Sequence, residues 1–115
     1  MTTDSTLLEA AARAAGLNVF WHEDLQRMVF FAGSAFRPTT WNPLTDDGDA
    51  FRLAVRLRIN IEHMKTQGGE PFGINCWPAG RGDCAHSEDE DLTDYAAATR
   101  RAIVRAAAAM GERNG

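Results

Sequence analysis

The residues best suited to chemistry are two cysteines and two histidines in the second half of the chain: His63, Cys76, Cys84 and His86. Thiolates and imidazoles bind zinc, and a thiolate beside an imidazole base can act as a nucleophile. The spacing Cys-x7-Cys-x-His lacks the short paired spacings of specific zinc motifs, so zinc at Cys76, Cys84 and His86 is the weaker alternative. No motif places a cysteine at a helix N-terminus, and the acidic run at 88–91 disfavours a thiolate nearby. The sequence therefore predicts no metal and no cofactor, and a small enzyme using these four residues stays an alternative.

A second candidate is the turn Trp-Asn-Pro-Leu at residues 41–44, which leads into a helix. In one interpretation Trp41 offers a stacking face, while Asn42, Thr45 and the free N–H groups of the helix start bind the polar edge of a ligand. In the other, Trp41 anchors the core, Asn42 and Pro43 shape the turn, and Thr45 caps the helix. Three aspartates between positions 46 and 49 would repel a phosphate, which favours the second interpretation.

Three arginines near the end of the chain form the third candidate. Arg101 and Arg105 are one helical turn apart, with Arg100 beside them. They are either the solvated face of a helix, placed where its dipole favours cations, or a basic patch for a phosphate or an acidic partner. Trp77 adds a second aromatic face that a planar ligand could stack on.

Apolar residues at helical spacing predict three helices, at about 5–15, 46–57 and 92–110. Thr6 with Glu9 has the form of a capping box, and Gly16 and Gly111 have the position of helix terminators. The last helix is predicted to bury one face, which consists of Leu92, Ala96, Thr99, Ile103, Ala106 and Met110.

Strands are predicted where β-branched and aromatic residues replace the helical spacing, at 17–21, 28–31, 58–63 and 72–77. The last two strands flank Gly68-Gly69 and therefore predict a hairpin, followed by a polar loop over 78–87. Helices separated by antiparallel strands predict an α+β fold, with an antiparallel sheet and helices packed on it in layers. The length of 115 residues suits a single domain, 1–115.

The composition narrows the class of protein. There are 16 acidic residues against 12 basic ones, so no overall positive field favours nucleic acid or an anionic membrane. No apolar run reaches the length of about 20 residues that spans a bilayer, and the N-terminus has no signal-peptide pattern. We therefore expect a cytoplasmic protein with reduced cysteines, which binds neither nucleic acid nor a membrane.

Two segments resemble a known family. Residues 41–57, with the Trp-Asn-Pro-Leu turn and its acidic helix start, and residues 97–111, with Arg-Arg-Ala-Ile-Val-Arg, resemble the phage ABA sandwich domain and the related NinX-like small phage and prophage proteins. The acidic start is closer to the ABA sandwich branch. The resemblance implies stacked layers of helices and sheet, and an accessory protein of a phage or prophage, active inside the bacterial host by binding a host component.

Three functional hypotheses follow. The favoured one is a non-catalytic binding protein that engages a host protein or sequesters a small nucleotide-like ligand in counter-defence. Its ligand-binding residues would be Trp41, Asn42, Thr45, Trp77, Arg100, Arg101 and Arg105. The alternatives are the small enzyme described above and a structural, oligomerising protein without a ligand. A homodimer or higher oligomer is a further expectation.

Overall fold

The computed structural model describes residues 3–30, 39–78, 86–88 and 93–114 of the chain. Within these residues the fold is α+β, as predicted, with three helices and two small antiparallel sheets. The helices are α1 (Asp4–Ala15), α2 (Asp47–Leu57) and α3 (Tyr95–Asn114). The first sheet has the order β1-β2-β3, with β1 (Phe20–His22), β2 (Arg27–Phe30) and β3 (Thr39–Thr40). The second has the order β4-β5-β6, with β4 (Ile59–Lys65), β5 (Pro71–Pro78) and β6 (His86–Glu88).

The four predicted strands correspond to β1, β2, β4 and β5, whereas β3 and β6 were not predicted. The strand expected at 17–21 begins only at Phe20, and β6 lies within and just beyond the segment predicted as a loop. Both missed strands are short, and each is held by pairing with a neighbour, as Thr40 pairs with Val29 in the first sheet. A strand that is defined by its partner carries little pattern of its own.

Helix α1 begins one turn earlier than its predicted capping box. The hydroxyl of Thr3, rather than that of Thr6, lies at the N-cap and accepts the N–H of Thr6 at 3.2 Å. The predicted terminator is confirmed, because Gly16 follows the helix in the left-handed conformation, with φ 74°. Glycine adopts that conformation without steric cost.

Helix α2 also has a different cap from the predicted one. Asp46 is the N-cap, and its carboxylate accepts the N–H of Asp49 at 2.8 Å. Thr45 lies in the preceding turn, where its N–H donates to the carbonyl oxygen of Asn42. The hydroxyl of Thr45 also donates to this carbonyl oxygen, at 3.5 Å, so the cap falls on Asp46 instead.

Helix α3 is the centre of the core, and it is buried on several sides rather than on one face. It contacts α1, α2 and all three strands of the second sheet. Ala96 on the predicted stripe is exposed, while residues off the stripe are buried, including Ala102, Val104 and Ala107. Leu92 lies outside the described residues. A helix that is covered by several neighbours has no single apolar stripe.

Gly111 does not end α3, contrary to the prediction, because the helix continues to Asn114. Gly111 is buried where α3 crosses α1. A Cβ atom at this position would lie 1.8 Å from the carbonyl oxygen of Ala10. The glycine therefore permits two backbones to approach closely, which is a packing role and not a terminating one.

Candidate functional site

The turn at 41–44 belongs to the architecture. Trp41 is 4% exposed and lies in the core, and its backbone N–H donates to the carbonyl oxygen of Met28 at 3.0 Å. The side chain of Asn42 accepts the N–H of Leu44 at 3.0 Å, which closes the turn locally. The protein itself therefore covers the Trp41 ring, as in the interpretation that made it a core anchor.

Carboxylates of the chain occupy the start of α2. Asp49 is buried, and its Oδ2 accepts the N–H of Asn42 at 2.9 Å while its Oδ1 accepts Arg52 at 2.6 Å. The Asp46 carboxylate takes a helix N–H group and lies 3.8 Å from the Arg52 guanidinium. The positive end of the helix thus already faces negative charge, and a bound anion would be repelled.

Two of the three candidate arginines, Arg100 and Arg101, do not converge on one site. Arg100 donates from Nε to the carbonyl oxygen of Leu44 at 2.8 Å and from a terminal nitrogen to Asp47 at 2.6 Å, which ties α3 to the start of α2. Arg101 donates to Asp4 at 3.3 Å and ties α3 to α1 instead. Arg105, one turn after Arg101 on α3, is not without a partner either. Arg100 and Arg101 therefore serve two helix contacts, each with its charge matched by a carboxylate.

Trp77 is separated from these arginines by the second sheet. It is half-buried on β5 and pairs with Asn60, on the face opposite to that of its buried neighbour Cys76. The face that carries Cys76 and Ile74 is buried against the helices. Since neighbouring side chains on a strand point to opposite faces, Trp77 lies on the outer face of the sheet.

The described histidine and cysteine side chains form no catalytic pair. His63 shares a hydrogen bond of 3.0 Å with the hydroxyl of Tyr95, and the two rings lie 5.4 Å apart. Cys76 is fully buried, and this burial raises the pKa of its thiol from 9.0 to about 12. A thiol with that pKa is a poor nucleophile near neutral pH. Cys84 and the side chain of His86 lie outside what the structure describes, and the residues it does describe contain no group of three or more potential metal ligands.

A groove between α2 and α3 is the concave feature that sequence reasoning missed. It has a volume of about 360 Å³ and opens beside β4. Most of its lining is apolar, and the residues are Ala50, Phe51 and Ala54 from α2, Ile61 from β4, and Ala96, Thr99 and Ile103 from α3. The ion pair of Asp47 with Arg100 borders one part of it. Alanines on both helices leave this space, because their side chains are too short to fill it.

Large apolar side chains are exposed on α2 and β4, and two of them, Phe51 and Ile61, line this groove. Phe51 is 69% exposed, Val55 is 59% exposed, and Ile61 on the neighbouring strand is 39% exposed. Phe51 and Val55 are four residues apart and therefore share one face of α2. We call these three residues the apolar surface. The sequence contains a sign of this surface, because residues 50–57 include more apolar side chains than one buried face of the eleven-residue helix α2 can hold.

Comparisons of the chain with protein-family models, with characterised proteins and with solved structures found no match. No helix among the described residues is both long enough and apolar enough to cross a membrane. The candidate site consequently depends on the geometry of this chain alone.

Proposed function

We propose that the protein is a non-catalytic binding module that engages a protein partner through its apolar surface. The observation that carries the proposal is the exposure of Phe51, which lines an apolar groove, and of Val55, which lies one turn farther along the same face of α2. Leaving such side chains in water costs free energy, and a contiguous exposed apolar patch marks an interaction site. A partner that covers the patch recovers this free energy.

The biological setting of the proposal comes from the resemblance to small phage and prophage proteins. In that setting the partner is a component of the bacterial host, met in the cytoplasm, and the binding acts in counter-defence. Covering a host protein needs no catalytic group. Burial raises the pKa of Cys76, so the described side chains offer the enzyme alternative no thiol that ionises readily near neutral pH.

A nucleotide-like ligand has less support than a protein partner. Its phosphates would need free cationic groups, whereas Arg100 and Arg101 each already pair with a carboxylate. Its base would need an exposed aromatic face beside those cations, whereas Trp41 is in the core and Trp77 lies across the sheet. The groove is mostly apolar and offers a phosphate little to bind.

Site-specific photo-crosslinking tests the proposal. A photoreactive residue replaces Arg56, which is exposed on α2 next to Val55, and cross-linked proteins from a bacterial extract are identified by mass spectrometry. Excess wild-type protein should compete a specific cross-link away, and the double variant Phe51→Ser with Val55→Ser should fail to do so. Leu25→Ser is the matched control, because Leu25 is also exposed and apolar but lies in the first sheet's turn.

Two results would contradict the proposal. If the double variant competes as well as Leu25→Ser does, the apolar surface does not bind the partner. If nucleotides raise the melting temperature of the wild type, and Arg100→Ala with Arg101→Ala abolishes the increase, a small-ligand function replaces it. Sedimentation velocity of the protein alone is measured first, so that self-association through the same surface is recognised.

A further inference from the structure

Strand β4 is one of the two edge strands of the second sheet in the described residues. It pairs with β5 along its length, from Ile59 opposite Pro78 to Lys65 opposite Pro71. In the part of the chain that the structure describes, no strand pairs with its other side. The backbone N–H and C=O groups on that side are therefore available to a further strand, and an unprotected edge is a ready template for one.

The groove borders β4 at one residue. Ile61 in the middle of β4 lines it, and the other walls come from α2 and α3. Side chains alternate along a strand, so Ile61 points toward the helices while Asn60 and Glu62 point to the outer face. A chain added alongside β4 would have the same alternation, and every second side chain would point toward the groove.

The size of the groove favours an extended chain over a helix. A volume of about 360 Å³ accommodates a few side chains and not the full face of a helix, whose diameter is about 10–12 Å. A helical partner would also leave the edge groups of β4 unpaired by protein. An extended segment satisfies both features at once, with its main chain on β4 and its apolar side chains in the groove.

The charges at the ends of β4 indicate the composition of that segment. Arg58 directly precedes the strand and Lys65 ends it, and both are exposed. Neither takes part in an ion pair among the described residues. Acidic side chains at both ends of a bound segment would pair with them, while the central Ile61 and Phe51 require apolar side chains between.

We propose that the partner binds by strand addition: an extended segment, apolar in its centre and acidic at its ends, pairs with the free edge of β4 and inserts its apolar side chains between α2 and α3. This inference rests on the proposed function, because it specifies how the same apolar surface is covered. It also assigns a binding role to the main chain of β4, which no pattern of side chains reveals.

A peptide selection tests the inference on the full chain. The probe is a random library of displayed peptides about 12 residues long, enough to pair along the whole of β4. Peptides retained by the wild type but not by the Phe51→Ser, Val55→Ser double variant are sequenced, and one is synthesised. Amide hydrogen exchange, measured by NMR with and without that peptide, then locates the bound backbone.

The expected result is a set of peptides with apolar residues at every second position, flanked by Asp or Glu, which slow exchange of β4 amides. Ile61→Ser should weaken binding of the synthetic peptide at least about tenfold, because its side chain contacts the peptide. Glu62→Ser, the neighbouring change on the outer face of the same strand, should alter it less than about twofold. Comparing these two variants separates the loss of a contact in the groove from general damage to strand β4.

Different failures have different meanings. Retained peptides with apolar residues at helical spacing, or equal effects of Ile61→Ser and Glu62→Ser, would overturn strand addition and leave the binding function standing. A different outcome is that, without any peptide, the β4 amides become protected from exchange as the protein concentration rises. In that case a second copy of this chain occupies the edge, and strand addition by a partner is overturned. No peptide that depends on Phe51 and Val55 would count against both proposals.

Discussion

Replacing Gly111 by alanine tests the close crossing of α1 and α3. The added Cβ would lie 1.8 Å from the carbonyl oxygen of Ala10, 2.8 Å from its carbonyl carbon and 3.3 Å from the nitrogen of Ala14. A Cβ contact below 3.0 Å does not occur in practice, so the helices must separate by at least the difference between 3.0 and 1.8 Å, which is 1.2 Å. The atoms in the way are backbone, and no side-chain rotation can relieve the contact.

The magnitude follows from two opposing terms. Alanine stabilises a helix interior by about 1 kcal/mol relative to glycine. Overpacking typically costs about 1–3 kcal/mol, and the cost here belongs at or beyond the upper end because two helix backbones must move. We therefore expect Gly111→Ala to lower the free energy of unfolding by about 2 kcal/mol, measured by urea titration with circular dichroism. The melting temperature should fall by roughly 8 °C.

Two controls accompany the Gly111 variant. Gly68→Ala, in the turn after β4, has its nearest neighbouring atom at 3.9 Å and should change stability by less than about 0.5 kcal/mol. Ala10→Gly in the Gly111→Ala background should not restore stability, because it leaves the carbonyl oxygen in place. A Gly111→Ala protein as stable as the wild type would refute the close crossing. A rescue by Ala10→Gly would refute the assignment of the clash to the backbone.

Four further predictions concern the contacts of α2 and α3 and the buried thiol of Cys76. Arg100→Lys should lower the free energy of unfolding by about 1–2 kcal/mol, because an ammonium cannot reproduce both directed bonds of the guanidinium. Arg101→Lys should lower it by less than about 0.5 kcal/mol, because the pair with Asp4 is exposed. Equal losses of the two variants in urea titration would contradict this. Asp46→Ala should cost about 1 kcal/mol and Thr45→Ala less than about 0.5 kcal/mol, and the reverse order would place the cap on Thr45. Cys76 should resist iodoacetamide until urea unfolds the protein, as read by site-resolved mass spectrometry, because burial raises its pKa to about 12. The raised pKa keeps the folded thiol neutral, whereas the thiol of the unfolded chain ionises around pH 9.0, so raising the pH favours the unfolded state. Between about pH 8 and pH 10, the free energy of unfolding of the wild type should therefore fall by about 1 kcal/mol more than that of Cys76→Ala. An equal fall in the two proteins would contradict the pKa shift.

The fold class could be predicted because each long element carries its own periodicity. The helical spacing in 46–57 and the alternation in 58–63 are local, and α2 and β4 follow them closely. The cap of α2 was missed by one residue, since Thr45 and Asp46 are both good N-cap residues. Only the preceding turn decides between them, because there the hydroxyl of Thr45 donates to the carbonyl oxygen of Asn42.

Gly111 shows a different limit of sequence reasoning. A glycine after an apolar helical stretch is typical of a C-terminus, and nothing nearby in the chain distinguishes that role from a close crossing. The deciding atom is the carbonyl oxygen of Ala10, about a hundred residues away in sequence. The absence of a single stripe in α3 has the same origin, because the helix is covered by elements from both halves of the chain.

The candidate site was predicted least well, since burial and pairing decide what each side chain can do. Trp41 and Arg100 have the residue types of a ligand site, yet the core takes one and a carboxylate with a backbone carbonyl takes the other. Phe51 looks like an ordinary core residue in the sequence and is instead largely exposed. Residue type alone therefore overstates the polar candidates and understates the apolar one.

The same alanines that let α3 occupy the centre of the core also account for the groove. Where α3 meets α1, small side chains and Gly111 bring the two backbones together and leave no space. Toward α2, Ala50, Ala54 and Ala96 line the groove, and their side chains are too short to fill the space between the two helices. A groove packed to the density of a protein interior would hold a large side chain. Phe51 lines the groove but is 69% exposed to water. A side chain supplied by another protein would fill the space, which is the physical basis for the binding function that we propose for this groove.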